Sequence, residues 1–276
     1  MSTSDFLFAP EFSFLRYALA AGLLASLSLG LVGTFVVTRK IVSMAGAISH
    51  CVLRGIGLAL YSQYEWGLMQ FHPMVGAAGA ALVAAGLMSW ISKHAKERED
   101  TLMSALWAVG MAVGLLFIAK TPTYVDPMVY LFGNILMTTQ VDLYVLGGLA
   151  VCVIGLTVCF YEPLLAVCFD EEFSKLRGVR SGIIYGLLLI LTALTIVMLI
   201  PIVGMILVIA LLTLPAAIAG QFAKSLWQMM LGAVAVSALS IVLGITLSYF
   251  ADLPTSSVII LVSGVLYAVS LLLKKL

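Results

Sequence analysis

The sequence predicts an all-α, multi-pass membrane protein of about nine transmembrane helices, or eight if one segment is re-entrant. Three observations predict it. Of the 276 residues, 63% are hydrophobic and only 10% are charged, with a mean hydropathy of +1.17. Soluble domains are about half apolar and a quarter charged. Nine windows, at 14–37, 41–61, 73–92, 102–119, 141–161, 182–200, 202–219, 226–249 and 256–273, are each apolar enough to cross the bilayer, which takes roughly 20 residues for about 30 Å of hydrocarbon. Basic residues then orient the spans. With the N-terminus outside and the C-terminus inside, the inner loops hold Arg39, Lys40, Lys93, Lys96, Arg98, Lys175, Arg177, Arg180, Lys224, Lys274 and Lys275, eleven of the chain's 14. That asymmetry is the positive-inside pattern.

The elements follow in order. The start, MSTSDFLFAPEF, has no basic n-region, so a cleavable signal peptide is not expected. The first two spans are joined by Thr38-Arg39-Lys40, and the third covers about 73–92. Gly76-x-x-Gly79 and Gly110-x-x-x-Gly114 are expected to let helices approach closely. Tyr61, Tyr64 and Trp66 read as an aromatic belt at the outer boundary. The outer loop at about 121–140, TPTYVDPMVYLFGNILMTTQ, carries Pro122, Pro127 and Gly133, which predict short broken helices. The run from Gly182 to Ala219 is too long for one crossing, and Pro201 is expected to break it into a hairpin. The whole of 1–276 reads as a single membrane domain with no soluble insert.

The inner loop EPLLAVCFDEEFSKLRGVR is different. Ala166, Phe169, Phe173 and Leu176 recur at three- and four-residue spacing and predict one apolar face of a short helix over about 163–178. Asp170, Glu171 and Glu172 lie within it, Lys175 follows, and Gly178 stands as a C-terminal cap. An acidic cluster disfavours the negative inner leaflet. A partner protein is the expected contact, ahead of lipid.

Function classes narrow by what the chain lacks. A net charge of +1 gives no footprint for nucleic acid, and there is no G-x-x-x-x-G-K-[ST] to cradle nucleotide phosphates. H-E-x-x-H, G-x-S-x-G and paired intramembrane carboxylates are also missing, so no enzymatic constellation is present. Cys51, Cys152, Cys159 and Cys168 form no C-x-x-C pair and read as small apolar residues. His72 and His94 fall in loops. Away from the span ends, His50 and Arg54 are the two charge-bearing groups inside a span, where such groups mark functional sites by default. Gly46, His50 and Arg54 are spaced by four and share one helix face.

Six stretches in order resemble the permeases of ABC importers for manganese, zinc or iron, the ABC-3 family. They are GLVGTFVVTRKIVSMAGAISHCVLRG (30–55), Arg98-Glu99-Asp100-Thr101, YLFGNIL (130–136), FDEEFSKLRGV (169–179), the VGMILVIALLTLPAAIA run (203–219) and LSYFADLPTSSVIIL (247–261). The resemblance implies a type II importer-like fold in a bacterial inner membrane. It implies no cofactor and no ATPase site on this chain, with ATP held by partner ATPase subunits. A second permease and an extracytoplasmic metal-binding protein complete the implied complex. Phe169–Gly178 would be the coupling helix, through Phe169, Asp170, Glu171, Glu172, Phe173, Lys175, Leu176 and Gly178.

On the second span the resemblance implies an aspartate and a histidine as metal contacts. The histidine is His50; the aspartate position is Gly46, and a proline position is Arg54. His50 is therefore the candidate metal ligand, with Ser49 and Arg54 as pathway or gate residues. Imidazole suits these ions, whereas Arg54 is a fixed cation that repels them and, near mid-membrane, needs a partner. The missing carboxylate favours a heterodimer over a homodimer. The rival reading is a gradient-driven secondary metal carrier, for which only His50 offers a relay group at depth.

Overall fold

A computed structural model of the chain describes residues 13–67, 72–94, 99–122, 126 and 128–275. Among them are nine helices long and apolar enough to cross a membrane. In chain order the helices are α1 (Ser13–Thr38), α2 (Val42–Glu65), α3 (Pro73–His94), α4 (Glu99–Lys120), α5 (Met128–Phe132), a 3-10 turn (Ile135–Met137), α6 (Gln140–Cys159), α7 (Tyr161–Phe169), α8 (Glu171–Leu176), α9 (Ser181–Val203), α10 (Met205–Phe222), α11 (Leu226–Ala251) and α12 (Thr255–Lys275). Each long helix coincides with one window of the sequence reading to within a few residues.

Two compact units share the chain. One comprises residues 1–34, 132–158 and 198–276; the other comprises 35–131 and 159–197. In the first, α10, α11 and α12 pack against one another. Asp252 ends α11 in the left-handed conformation (φ +54), and the backbone N–H of Leu253 donates to Ser248 O at 3.2 Å. An aspartate is among the few side chains that tolerate that geometry, and Pro254 then forbids continuation.

The hairpin between α9 and α10 turns at Gly204, not at Pro201, which lies inside α9. A proline near a helix C-terminus deletes only its own amide bond, whereas the turn needs a residue at positive φ. Gly204 supplies it at φ +89, donating its N–H to Ile200 O at 2.9 Å and accepting from Val208 N at 3.0 Å. Gly133 (φ +62), between α5 and the 3-10 turn, lies back to back with Gly204, so that a Cβ on either would run into the other's backbone. The short broken helices expected in the outer loop are present as α5 and the 3-10 turn. The latter is capped by Asn134 Oδ1, which accepts from Leu136 N at 3.2 Å. Thr123, Tyr124, Val125 and Pro127 of that loop lie outside the described residues, as do Lys96 and Arg98.

In the second unit α2 is the central helix, packed on both α3 and α4. It is buried without interruption from Met44 to Leu53. Its most apolar window is 78% buried, against 22% for that of α4. A helix apolar on all sides belongs in the interior; α4, with Val109 and Leu116 exposed, has a face suited to lipid.

Candidate functional site

The candidate site residues fall in two places, both in the second unit: the α4-facing side of α2, and the α7–α8 segment.

On α2, the Gly46–His50–Arg54 face packs along α4. The His50 imidazole stacks on the Trp107 indole, ring centres 4.4 Å apart and planes at 22°. This leaves His50 8% exposed, and its Nδ1 is buried without a hydrogen-bond partner. A Cβ at Gly46 would lie 3.3 Å from Trp107 Cζ3. Trp107 therefore fills the space that a larger side chain at position 46 would need. Ser49 is fully buried and donates its hydroxyl to Ala45 O at 2.9 Å, a back-bond within the helix. Among the described residues no group of three His, Cys, Asp or Glu could hold a metal ion.

Arg54 lies midway along α2, the thirteenth of its 24 residues. Its neighbour Gly55 is in close contact with Gly76, the fourth residue of α3, and its own backbone lies beside Gly114 of α4. At 1.5 Å per residue those levels are only about 5–9 Å below the outer ends of α3 and α4. Arg54 lines an otherwise apolar cavity of about 540 Å³ with Leu58, Val75, Val83 and Phe117, and the described residues offer it no ion pair. Close approach holds for Gly76, Gly110 and Gly114, which all abut α2; Gly79 faces open space. His72 accepts from Met74 N at 3.2 Å through Nδ1, a cap on α3. The side chain of His94 lies outside the described residues.

The inner segment expected as one helix is two. Asp170 interrupts it in extended backbone (φ −149, ψ 100). Its carboxylate accepts from Phe173 N at 2.9 Å and so caps α8. An aspartate satisfies a new helix start better than it continues an old helix, which is why the break falls there. Gly178 follows at φ +81. The break turns Phe169, Phe173 and Leu176 outward, 68%, 51% and 87% exposed. Arg177 lies 4.8 Å from the Phe173 ring centre. Glu172 is exposed, while Glu171 turns inward to Arg39 and also pairs with Lys175 at 3.0 Å. Burial alone would raise the Glu171 carboxyl, but the hydrogen bond from Lys175 and the charge of Arg39 outweigh it and hold it below its ordinary value. Burial pushes the neighbouring Cys168 thiol up to about 12 against the opposing charge of Arg39.

Two residues central to these places were missed by sequence reasoning: Trp107 and Arg39. The signal for Trp107 was its depth, since tryptophans in spans belong at the boundaries.

The sequence profile of the ABC 3 transport family matches residues 11–274. The chain belongs to the ABC 3 transport family. It is the permease, a multi-pass membrane component of an ABC transporter, and carries no ATPase site of its own. It is 42% identical to a probable metal transport system membrane protein of Chlamydia pneumoniae over 92% of this chain and 87% of that one. It is 32% identical to the manganese import system permease protein ScaB of Streptococcus parasanguinis, over 94% and 90% of the two chains. Its fold is similar to that of a chain in the structure of PsaBC from Streptococcus pneumoniae in complex with Fab, with a TM-score of 0.85, 28% identity, and 98% and 95% coverage. The Gly46–Trp107 contact falls at the position where the resemblance implies an aspartate.

Proposed function

We propose that this chain is the transmembrane permease of an ATP-driven importer of a divalent transition metal, with manganese as the favoured ion over zinc or iron. The manganese import permeases among its relatives support that ion. ATPase subunits dock on the α7–α8 segment, and an extracytoplasmic binding protein delivers the metal. The observation that carries the reading is the outward set Phe169, Phe173 and Leu176 on a capped, acidic helix pair. Apolar side chains between charges, on a loop that is otherwise short, match a groove in a partner protein better than an anionic lipid surface.

His50 and Ser49 line the metal route on α2, with Arg54 toward its outer end. Because Trp107 occupies the place of a ligand at 46, the chain pairs with a second, distinct permease that supplies a carboxylate. The test is co-expression with ATPase subunits and reconstitution, measuring ATP hydrolysis stimulated by manganese, zinc and iron. Phe173→Asp is expected to abolish ATPase association while membrane insertion persists. Unchanged recovery of the complex from that variant would overturn the docking assignment, and metal uptake that survives loss of ATP binding would favour a gradient-driven carrier.

A further inference from the structure

Glu171 joins three elements. One carboxylate oxygen accepts from Arg39 Nη2, in the turn between α1 and α2. The other meets Lys175 Nζ at 3.0 Å, within α8, and Ser181 Oγ at 3.4 Å, at the first residue of α9. Arg39 also lies 5.6 Å from the ring centre of Tyr185 on α9, whose hydroxyl donates to Met44 Sδ at 3.0 Å on the first turn of α2.

The turn that carries Arg39 has no slack. Ile41 N donates to Val36 O at 3.0 Å and Lys40 N to Val37 O at 3.1 Å, the paired bonds of a Schellman cap. Lys40 takes the left-handed position at φ +60, which usually falls to glycine. Ala45 N then donates to Ile41 O at 3.1 Å, so α2 starts with no flexible linker. A displacement of Arg39 must move the N-terminus of α2, and His50 lies on the same rigid helix about 12 Å further on. A polar cavity of about 350 Å³ adjoins the pair, lined by Arg39, Lys40, Ser43, Ser92, Glu171 and Tyr185. Its polar lining gives the guanidinium and carboxylate room to shift without burying an unpaired charge in an apolar setting.

We propose that the Arg39–Glu171 ion pair is the link through which movement of α8 reaches the pathway helix α2, making Arg39 a positioning residue for alternating access. This rests on the reading of α7–α8 as the ATPase-docking segment. Through this link, α2 tilts when α8 is displaced. Without it, the ATPases can dock and turn over while α2 stays behind.

The experiment uses the chain with its ATPase and second permease in proteoliposomes, reading manganese uptake and ATP hydrolysis on the same samples. Arg39→Gln is expected to keep ATPase association and basal hydrolysis while uptake per ATP falls about tenfold or more. Arg39→Lys, which retains the charge, should recover most of the uptake. Arg39→Gln combined with Glu171→Gln should be no worse than either alone, because both remove the same pair. Unchanged uptake per ATP in Arg39→Gln overturns the link, as does a double variant whose defects simply add. Loss of ATPase association in Arg39→Gln also overturns it, since the residue would then serve docking. Phe173→Asp tests docking separately: if that variant keeps its ATPase, the docking reading fails whatever the Arg39 variants do.

Discussion

The imidazole of His50 lies face to face with the indole of Trp107, ring centres 4.4 Å apart, and the same indole comes within contact distance of the place a side chain at Gly46 would occupy. Such a stack contributes about 0.5–1.5 kcal/mol beyond its burial. It also gives α2 a histidine with a buried, unpartnered Nδ1 and no carboxylate one turn below it.

That geometry makes a prediction about ligand capacity. Gly46→Asp alone should destabilise the solubilised chain by about 2–4 kcal/mol, since it drives a carboxylate against the indole. Gly46→Asp with Trp107→Ala should recover most of that loss, because the carboxylate then has space. Only this double variant should show a manganese-dependent rise in melting temperature, from an aspartate and a histidine at i and i+4. Thermal melts in detergent with and without manganese check it. A metal-dependent rise in Gly46→Asp alone would mean that Trp107 does not fill the ligand's place.

A second prediction concerns the corner where the outer loop meets the α9–α10 turn. Gly133→Ala and Gly204→Ala each add a Cβ at positive φ and into the opposing backbone. The left-handed conformation alone costs about 1–2 kcal/mol, and the overlap forces the two segments apart besides. Each variant should lose 3 kcal/mol or so of stability and yield little monodisperse protein on size exclusion. Gly79→Ala, which meets open space, is the control and should behave as the parent. Equal yields for all three would refute the close docking of the loop.

Much of this fold was legible because a membrane span is read from length and apolarity, which act over some twenty residues and average out local error. The spans from Ser13 to Lys275 follow the sequence windows closely for that reason. The misreadings were local. Pro201 looked like the turn because proline is a helix breaker, yet one missing amide near a helix end matters less than the positive φ that Gly204 alone supplies there. Phe169, Phe173 and Leu176 looked like one helical face, yet Asp170 had a better use as a cap. The long-range pairings were not legible at all. Nothing in the chain order says that Arg39 meets Glu171, 132 residues away, or that Trp107 covers His50.

The Glu171 carboxyl supplies a pH prediction. Its ordinary value is 4.5, and in the folded chain it is lowered because Lys175 and Arg39 favour the charged form against burial. A lowered folded value means the ion pair's stabilisation is complete above the unfolded value and is lost as pH falls through the folded one. The pair is part-exposed, so its contribution should be under about 1 kcal/mol. Melts between about pH 7 and pH 3 should therefore show an acid limb that Glu171→Gln reduces by that amount while leaving the neutral region flat. A Glu171→Gln variant with the full acid limb would remove Glu171 from its cause.

The last prediction concerns Arg54. Its backbone is level with Gly76 and Gly114, within about 5–9 Å of the outer ends of α3 and α4, so its long side chain can carry the guanidinium to the outer boundary. It lines an apolar cavity and has no ion pair among the described residues. On the proposed reading, which puts Arg54 toward the outer end of the metal route, its fixed cation opposes entry of a dication. At about 10 Å and an intermediate dielectric, a single and a double charge repel by roughly 1–2 kcal/mol, or about tenfold in occupancy. Arg54→Gln should accordingly lower the apparent KM for manganese several-fold with little change in maximal uptake, while Arg54→Lys stays near the parent. Raising ionic strength should shrink the difference between the variants, because a boundary charge is screened. If Arg54→Gln leaves KM untouched, the guanidinium lies away from the ion's approach and anchors α2 in the headgroup layer instead. If it abolishes pairing with the second permease, its partner is an acid on that subunit.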